Sequence, residues 1–218
     1  MEGALRRRIP RRAILHNMHR DPGSFLGFGI VAGVILVAAL APLLPLHDPT
    51  HLDLQNRLLS PSFEFPLGTD HLGRDSLSRV IFGARISLIV VAVTLGVGGV
   101  FGVLLGLVAG YYGGWVDELV MRVVDIKLAI PTILVALVLV FALGQSFIII
   151  IAILAIAIWP RFARNIRGEV LQLKTMDFVA LAKVAGASTP RSLFVHIFPG
   201  VVNTLIILTT LEVGIVIL

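Results

Sequence analysis

Four long intervals of this 218-residue chain carry no charge, and they constrain the fold more than any motif does. No Asp, Glu, Lys or Arg lies between Asp21 and Asp48, Arg85 and Asp117, Lys127 and Arg161, or Arg191 and Glu212. A membrane-crossing helix needs about 20 apolar residues at ~1.5 Å rise each, so each interval has room for a span or part of one. With 57% hydrophobic and only 14% charged residues, against about 25% charged in soluble domains, a water-soluble globule is excluded. The lack of cysteine removes disulfides, thiolate catalysis and Cys-ligated metals together.

The intervals predict an all-α, polytopic membrane helix bundle. Residues 1–24 form a basic N-terminus and 25–218 the membrane domain, with an external loop over 47–80 and a cytoplasmic loop over 161–199. The apolar run from Phe25 to Leu46 exceeds the 7–15-residue core of a signal peptide and lacks a small-residue cleavage site before the next polar stretch, so it reads as a retained first span. Span two covers Ile81–Ala109 and span three Met121–Leu143. The uncharged stretch Leu128–Pro160, 33 residues long, is too long for one span. It divides at Gly144-Gln145-Ser146, a turn signal, and span four runs from Phe147 into Arg164. Span five begins near Gly200 and is still apolar at Leu218, so the chain is expected to be C-terminally incomplete.

Basic residues test the sidedness, because Lys and Arg collect on the cytoplasmic side. Of the 18, 14 fall in 1–21, 111–127 and 161–199 and four in the outer stretch 47–85, which places the N-terminus in the cytoplasm. The net charge of +5 follows from this sidedness. Nucleic-acid binders instead carry a basic patch on a folded polar domain, so no nucleic-acid partner is expected.

Span two bears glycine at 98, 102, 106, 110 and 114, with Gly96, Gly99 and Gly113 beside the row. Small residues four apart let helices approach closely in lipid. At ~3.6 residues per turn the row drifts about 40° per step, which predicts contact with more than one neighbour.

Two clusters imitate chemistry. Asp70, His71, Arg74 and Asp75, with His47, Asp48 and His51 upstream, hold carboxylates near imidazoles. No His-x-x-x-His pair or partnered nucleophile accompanies them, so a solvated loop with internal salt bridges is expected, without catalysis or metal. Gly168-Glu-Val-Leu-Gln-Leu-Lys174-Thr175 follows the phosphate-loop pattern except that Leu173 replaces the second glycine, and it follows a membrane helix rather than a strand. Nucleotide binding by this chain is therefore rejected.

In the loop 161–199, Asp177 is placed to cap a helix with Phe178, Leu181, Ala182 and Ala185 on one face and Gly186 as its stop. Thr189-Pro190 opens a second helix leading to Pro199. An amphipathic segment of this kind either lies on lipid or docks on a protein. Its small residues and sharp ends favour docking.

These residues resemble a known family. GTDHLGRDSLSR (Gly68 to Arg79, holding Thr69, Asp70, Gly73, Arg74 and Asp75), then Gly83-Ala-Arg-Ile-Ser87, is similar to the external signature of the second permease subunit of dipeptide, oligopeptide and nickel importers of the ABC class. Gly113-Gly-Trp-Val-Asp117, Met121-Arg-Val-Val-Asp125 and Ile130-Pro131 continue the pattern. FVALAKVAGAS (Phe178 to Ser188) with His196-Ile-Phe-Pro199 resembles the family's cytoplasmic coupling loop. The resemblance implies a type I permease fold of six spans, five present here. It implies a coupling helix formed by Phe178, Leu181, Ala182, Ala185, Gly186 and Ala187, with Lys183 and Arg191 at its margin. It further implies a homologous permease, two ATP-binding subunits that carry ATP and magnesium, an external solute-binding protein, and a multi-pass inner-membrane location. No catalytic residue or cofactor is expected in this chain. Ala180 stands where the family's coupling motif has glutamate, and Leu181 where it has the next alanine.

Glu212 lies inside span five. A membrane acid is costly and marks function by default, so it either lines the pathway or meets the partner permease, or else is a tolerated, protonated or paired side chain. An ion-coupled transporter or channel would want repeated ionisable groups at mid-membrane, and a membrane enzyme an acid–base or metal constellation. The sequence contains neither.

Overall fold

The computed structural model describes residues 22–218. The basic N-terminal segment, with Arg6 to Arg20, lies outside the described residues. The described chain is helical, with one isolated bridge between Thr69 and Asp75, and it forms two compact units that divide after Leu88.

In the first unit, α1 (Pro22–Leu40) passes into a tight turn at Ala41–Leu43. It stops short of the expected Leu46 because Leu44 precedes Pro45 and takes the extended conformation, φ −78° and ψ 143°, that a following proline enforces. The polar segment after it folds back on itself. Leu58 N–H donates to the Asp70 carbonyl at 3.1 Å, Thr69 N–H to Leu59 at 3.1 Å and Asp53 N–H to Leu72 at 3.3 Å. α2 (Ser76–Thr94) begins there, five residues earlier than hydropathy predicts, because Asp75 caps it. The Asp75 carboxylate accepts from the N–H groups of Leu77 at 3.2 Å and Ser78 at 3.1 Å, which satisfies two donors that a helix start leaves without partners.

In the second unit, a π-turn at Leu95–Gly99 leads from α2 into α3 (Val100–Tyr112). α4 (Gly114–Ala129), α5 (Thr132–Leu143), α6 (Phe147–Leu173) and α7 (Asp177–Val184) follow. α8 (Thr189–Arg191) continues through a π-turn at Ser192–Ile197 into α9 (Phe198–Ile217). α6 is the hub. Its Phe162, Ile166, Val170 and Leu173 are buried with Val103 and Leu107 of α3, Val179 of α7, and Leu193, Ile197 and Val201.

Four described helices are long and apolar enough to cross a membrane: Phe25–Leu43, Ser76–Tyr112, Phe147–Leu173 and Thr189–Ile217. The expected third span is different. α4 and α5 meet at 83°, so Met121–Leu143 is not one straight helix. Ile130 is extended at φ −89° and ψ 122° because Pro131 follows it, and Pro131 has no N–H to continue the ladder. The three long helices after the first outrun their uncharged intervals. α6 extends past Arg164 to Leu173, and the fifth is helical from Thr189 onward rather than from Gly200.

Candidate functional site

The glycine row meets one helix. A Cβ built on Gly98 would lie 2.6 Å from the Ala155 carbonyl oxygen, on Gly102 2.3 Å from that of Trp159, and on Gly106 2.6 Å from that of Ala163. On Gly110 it would lie 2.7 Å from Val170 Cβ. All four contacts fall on α6, which overturns the expectation of several neighbours. The carbonyls met, those of Ala155, Trp159, Ala163 and, 3.0 Å from a Cβ on Gly110, Arg167, also advance four residues at a time, so both rows drift by the same angle and stay in register as the helices wrap. Gly114, the fifth of the row, meets nothing within 4 Å and opens α4, after the break at Gly113.

The C-terminal half of α6 carries Arg161, Arg164 and Arg167, and each pairs with a distant acid. Arg161 Nη1 lies 3.1 and 3.2 Å from the two Glu212 oxygens on α9. Arg164 pairs with Asp125 and Arg167 with Asp117, both on α4. Glu212 is buried, only 4% exposed, and paired within the chain. Lys174 donates to the Gly110 carbonyl at 2.8 Å, closing the end of α3. The phosphate-loop lookalike is thus a helix end whose lysine is already engaged.

The arginine partners were not read from the sequence. Two signals were present: three arginines at i, i+3 and i+6 on α6, and two acids about two turns apart on α4.

α7 begins differently from expectation. Met176 occupies the cap position with extended backbone, φ −77° and ψ 145°, which makes Asp177 the first helical residue rather than the cap. There its carboxylate complements the positive end of the helix. The other end is as expected. Gly186 takes φ +84°, and the N–H groups of Ala187 and Gly186 donate to the carbonyls of Ala182 and Lys183, each at 3.0 Å. This pair of bonds closes a helix on a left-handed residue, where glycine avoids the Cβ clash.

The expected docking face is divided. Val179 is fully buried and Ala182, one turn on, is half-buried, so this side anchors α7 to the core. Phe178, Leu181, Val184 and Ala185 are exposed, Val184 at 87%. Anchoring takes the i, i+3 pair 179 and 182, which leaves 178, 181 and 185 turned away from the core. Ala187 is half-buried and Arg191 exposed. Lys183 is tied inward, its ammonium 5.0 Å from the Tyr111 ring centre at the end of α3.

The external signature is a structural clasp. Gly73, at φ +76°, packs so tightly on Asp53 that a Cβ would sit 1.6 Å from its carbonyl oxygen. The Gly68 carbonyl accepts from Ser76 N–H at 3.0 Å. Thr69 Oγ1 accepts from Leu59 N–H at 2.8 Å and donates to the Asn56 carbonyl. Asp70 accepts from the N–H groups of Leu72 at 2.8 Å and Arg74 at 3.0 Å, from Arg74 Nε at 2.8 Å, and from Arg79. Partial desolvation works against its charge, but the Arg74 and Leu72 N–H groups and the Arg74 guanidinium outweigh it and hold the carboxyl well below the usual carboxylate range. Carboxylates so fully engaged are not poised for acid–base work. Among the described residues, no group of three His, Cys, Asp or Glu is arranged to hold a metal.

A family model described as the inner membrane component of binding-protein-dependent transport systems matches residues 102–218. The chain belongs to that permease family. It is 38% identical to the dipeptide transport system permease protein of Alkalihalophilus pseudofirmus, over 96% of this chain and 69% of that protein. It is 36% identical to the oligopeptide transport system permease protein of Bacillus subtilis, over 87% of this chain and 62% of that one. Identity to the nickel transport system permease protein of Escherichia coli is also 36%, over 85% and 67%. The chain therefore spans about two thirds of the length of these relatives. Members of this permease family are multi-pass inner-membrane proteins, and the long apolar helices described above fit that location.

Proposed function

We propose that this chain is one of two membrane subunits of an ATP-driven importer for peptides or related small solutes. Its partners would be a homologous permease, two ATP-binding subunits carrying ATP and magnesium, and an external solute-binding protein. The chain itself would be non-catalytic, with its N-terminus cytoplasmic, as the distribution of Lys and Arg supports. Peptide-type solutes are supported by the relatives, whose names carry dipeptide, oligopeptide and nickel transport.

The observation that carries the reading is the division of α7. Val179 and Ala182 fix it to the core, Lys183 reaches Tyr111, and the apolar side chains of Phe178, Leu181 and Val184 stand exposed. An apolar face on a cytoplasmic helix suits a groove on an ATP-binding subunit. Closure of those subunits would move α7, and α7 would move the α3–α6 pair that the glycine seam makes a unit. The test is Gly186→Arg. It should abolish ATP-driven uptake in the assembled importer while membrane insertion stays intact. Uptake by the chain alone, driven by a proton or sodium gradient, would overturn the reading.

A further inference from the structure

α6 carries a stripe of charged side chains, Arg161, Arg164 and Arg167. The stripe supports an inference. Arg161, expected at the start of the cytoplasmic loop, instead continues an unbroken helix, 14 residues beyond Phe147 or ~21 Å along its path through a ~30 Å hydrocarbon layer, toward the cytoplasmic side. Its side chain is nonetheless 48% exposed, while the Glu212 carboxylate that it pairs with is 6% exposed. A guanidinium at such depth does not face hydrocarbon, because its desolvation there is unfavourable. It faces water or protein.

The surroundings of Arg161 are polar along the same face. Arg164, Asn165 and Gln172 are also exposed, and the opposite side holds the buried Phe162, Ile166 and Val170. Glu212 engages only Nη1 of Arg161, at both oxygens. Nε and Nη2 bond to no described residue. Together they are a donor edge with the fork geometry that matches a carboxylate.

We infer that Arg161, positioned by Glu212, lies on the solute pathway and receives a carboxylate of the passing solute. Glu212 has two effects. It fixes the guanidinium, and by neutralising much of its charge it keeps the contact weak enough for release, as a pathway requires. This inference rests on the transport reading above and adds the chemistry of the solute and one residue that meets it.

The test uses the assembled importer in proteoliposomes, with dialanine and dialanine amide as solutes. Arg161→Lys retains the charge opposite Glu212 and hence the fold, but loses the fork. It should raise KM for dialanine about tenfold relative to the amide, the selectivity expected of a lost bidentate contact. The same binding protein serves both permeases, so a change in this ratio reports on the permease. The cysteine-free chain permits a second measurement. Ala157→Cys, one turn before Arg161 on its half-exposed side, should react with a membrane-impermeant thiosulfonate and be protected by dialanine. An unchanged KM ratio, or an unreactive Ala157→Cys, overturns the inference. If the unmodified importer hydrolyses ATP but takes up neither solute, the peptide reading fails. Labelling of Ala157→Cys would then still uphold the pathway position, and its absence would overturn that as well.

Discussion

Gly102 and Trp159 approach so closely that a Cβ on the glycine would lie 2.3 Å from the tryptophan carbonyl oxygen. Backbone cannot retreat as a flexible side chain can, so any larger residue must push α3 and α6 apart. Gly102→Val should destabilise the second unit by at least the ~1–3 kcal/mol typical of overpacking. Gly96→Ala, with open space around the new methyl, should be near neutral. Thermal unfolding in detergent, monitored by a core-sensitive probe, separates the two.

Lys183 and Tyr111 connect α7 to the end of α3 across a 5.0 Å cation–π contact. At a site of this exposure the contact is worth ~0.5–1 kcal/mol, too little to decide folding but enough to bias the joint that the proposed coupling would move. Tyr111→Leu should lower uptake per ATP hydrolysed, and Tyr111→Phe should retain it. A double-mutant cycle with Lys183→Met, read on the coupling ratio, should show the two effects to be non-additive.

Asp75 caps α2 through the N–H groups of Leu77 and Ser78. Removing such a cap costs ~0.5–2 kcal/mol, so Asp75→Ala should increase hydrogen exchange over the first turn of α2. Asp75→Asn, which can still accept, should recover most of the protection.

Asp70 has a carboxyl held below its ordinary value of 3.8, by the Arg74 and Leu72 N–H groups and the Arg74 guanidinium acting against partial desolvation. A depressed carboxylate stabilises the fold above its unfolded pKa, and that contribution is lost as pH falls through the folded one. Protection of the 53–75 clasp against proteolysis should therefore be flat from pH 7 to about 4 and decline only at lower pH. Asp70→Asn should show weaker protection at pH 7 and a smaller decline on acidification.

Much of the helix plan was legible in the charge-free intervals, because burying a charge in lipid is costly wherever the helix points. The family patterns at Gly68–Arg79 and Phe178–Ser188 located the clasp and α7 by chain position. The 83° bend was missed although Ile130-Pro131 stood in view, since hydropathy averages across a proline that the backbone cannot ignore. The pairing of Arg161, Arg164 and Arg167 was out of reach. Their partners lie 51, 39 and 50 residues away along the chain, and which helix faces meet depends on rotations that local sequence does not encode.

Composition and spacing alone were enough to establish a helical membrane chain, its approximate spans and the glycine row. Those properties follow from transfer free energies and backbone sterics, which act residue by residue. The contacts came from the folded arrangement: one neighbour for all four seam glycines, Val179 rather than Phe178 turned to the core, and Glu212 closed onto Arg161. A membrane helix is apolar toward lipid and toward protein alike, so its hydropathy says that it spans and leaves open which side it packs. That choice is made only when α6 gathers α3, α4, α7 and α9 around itself.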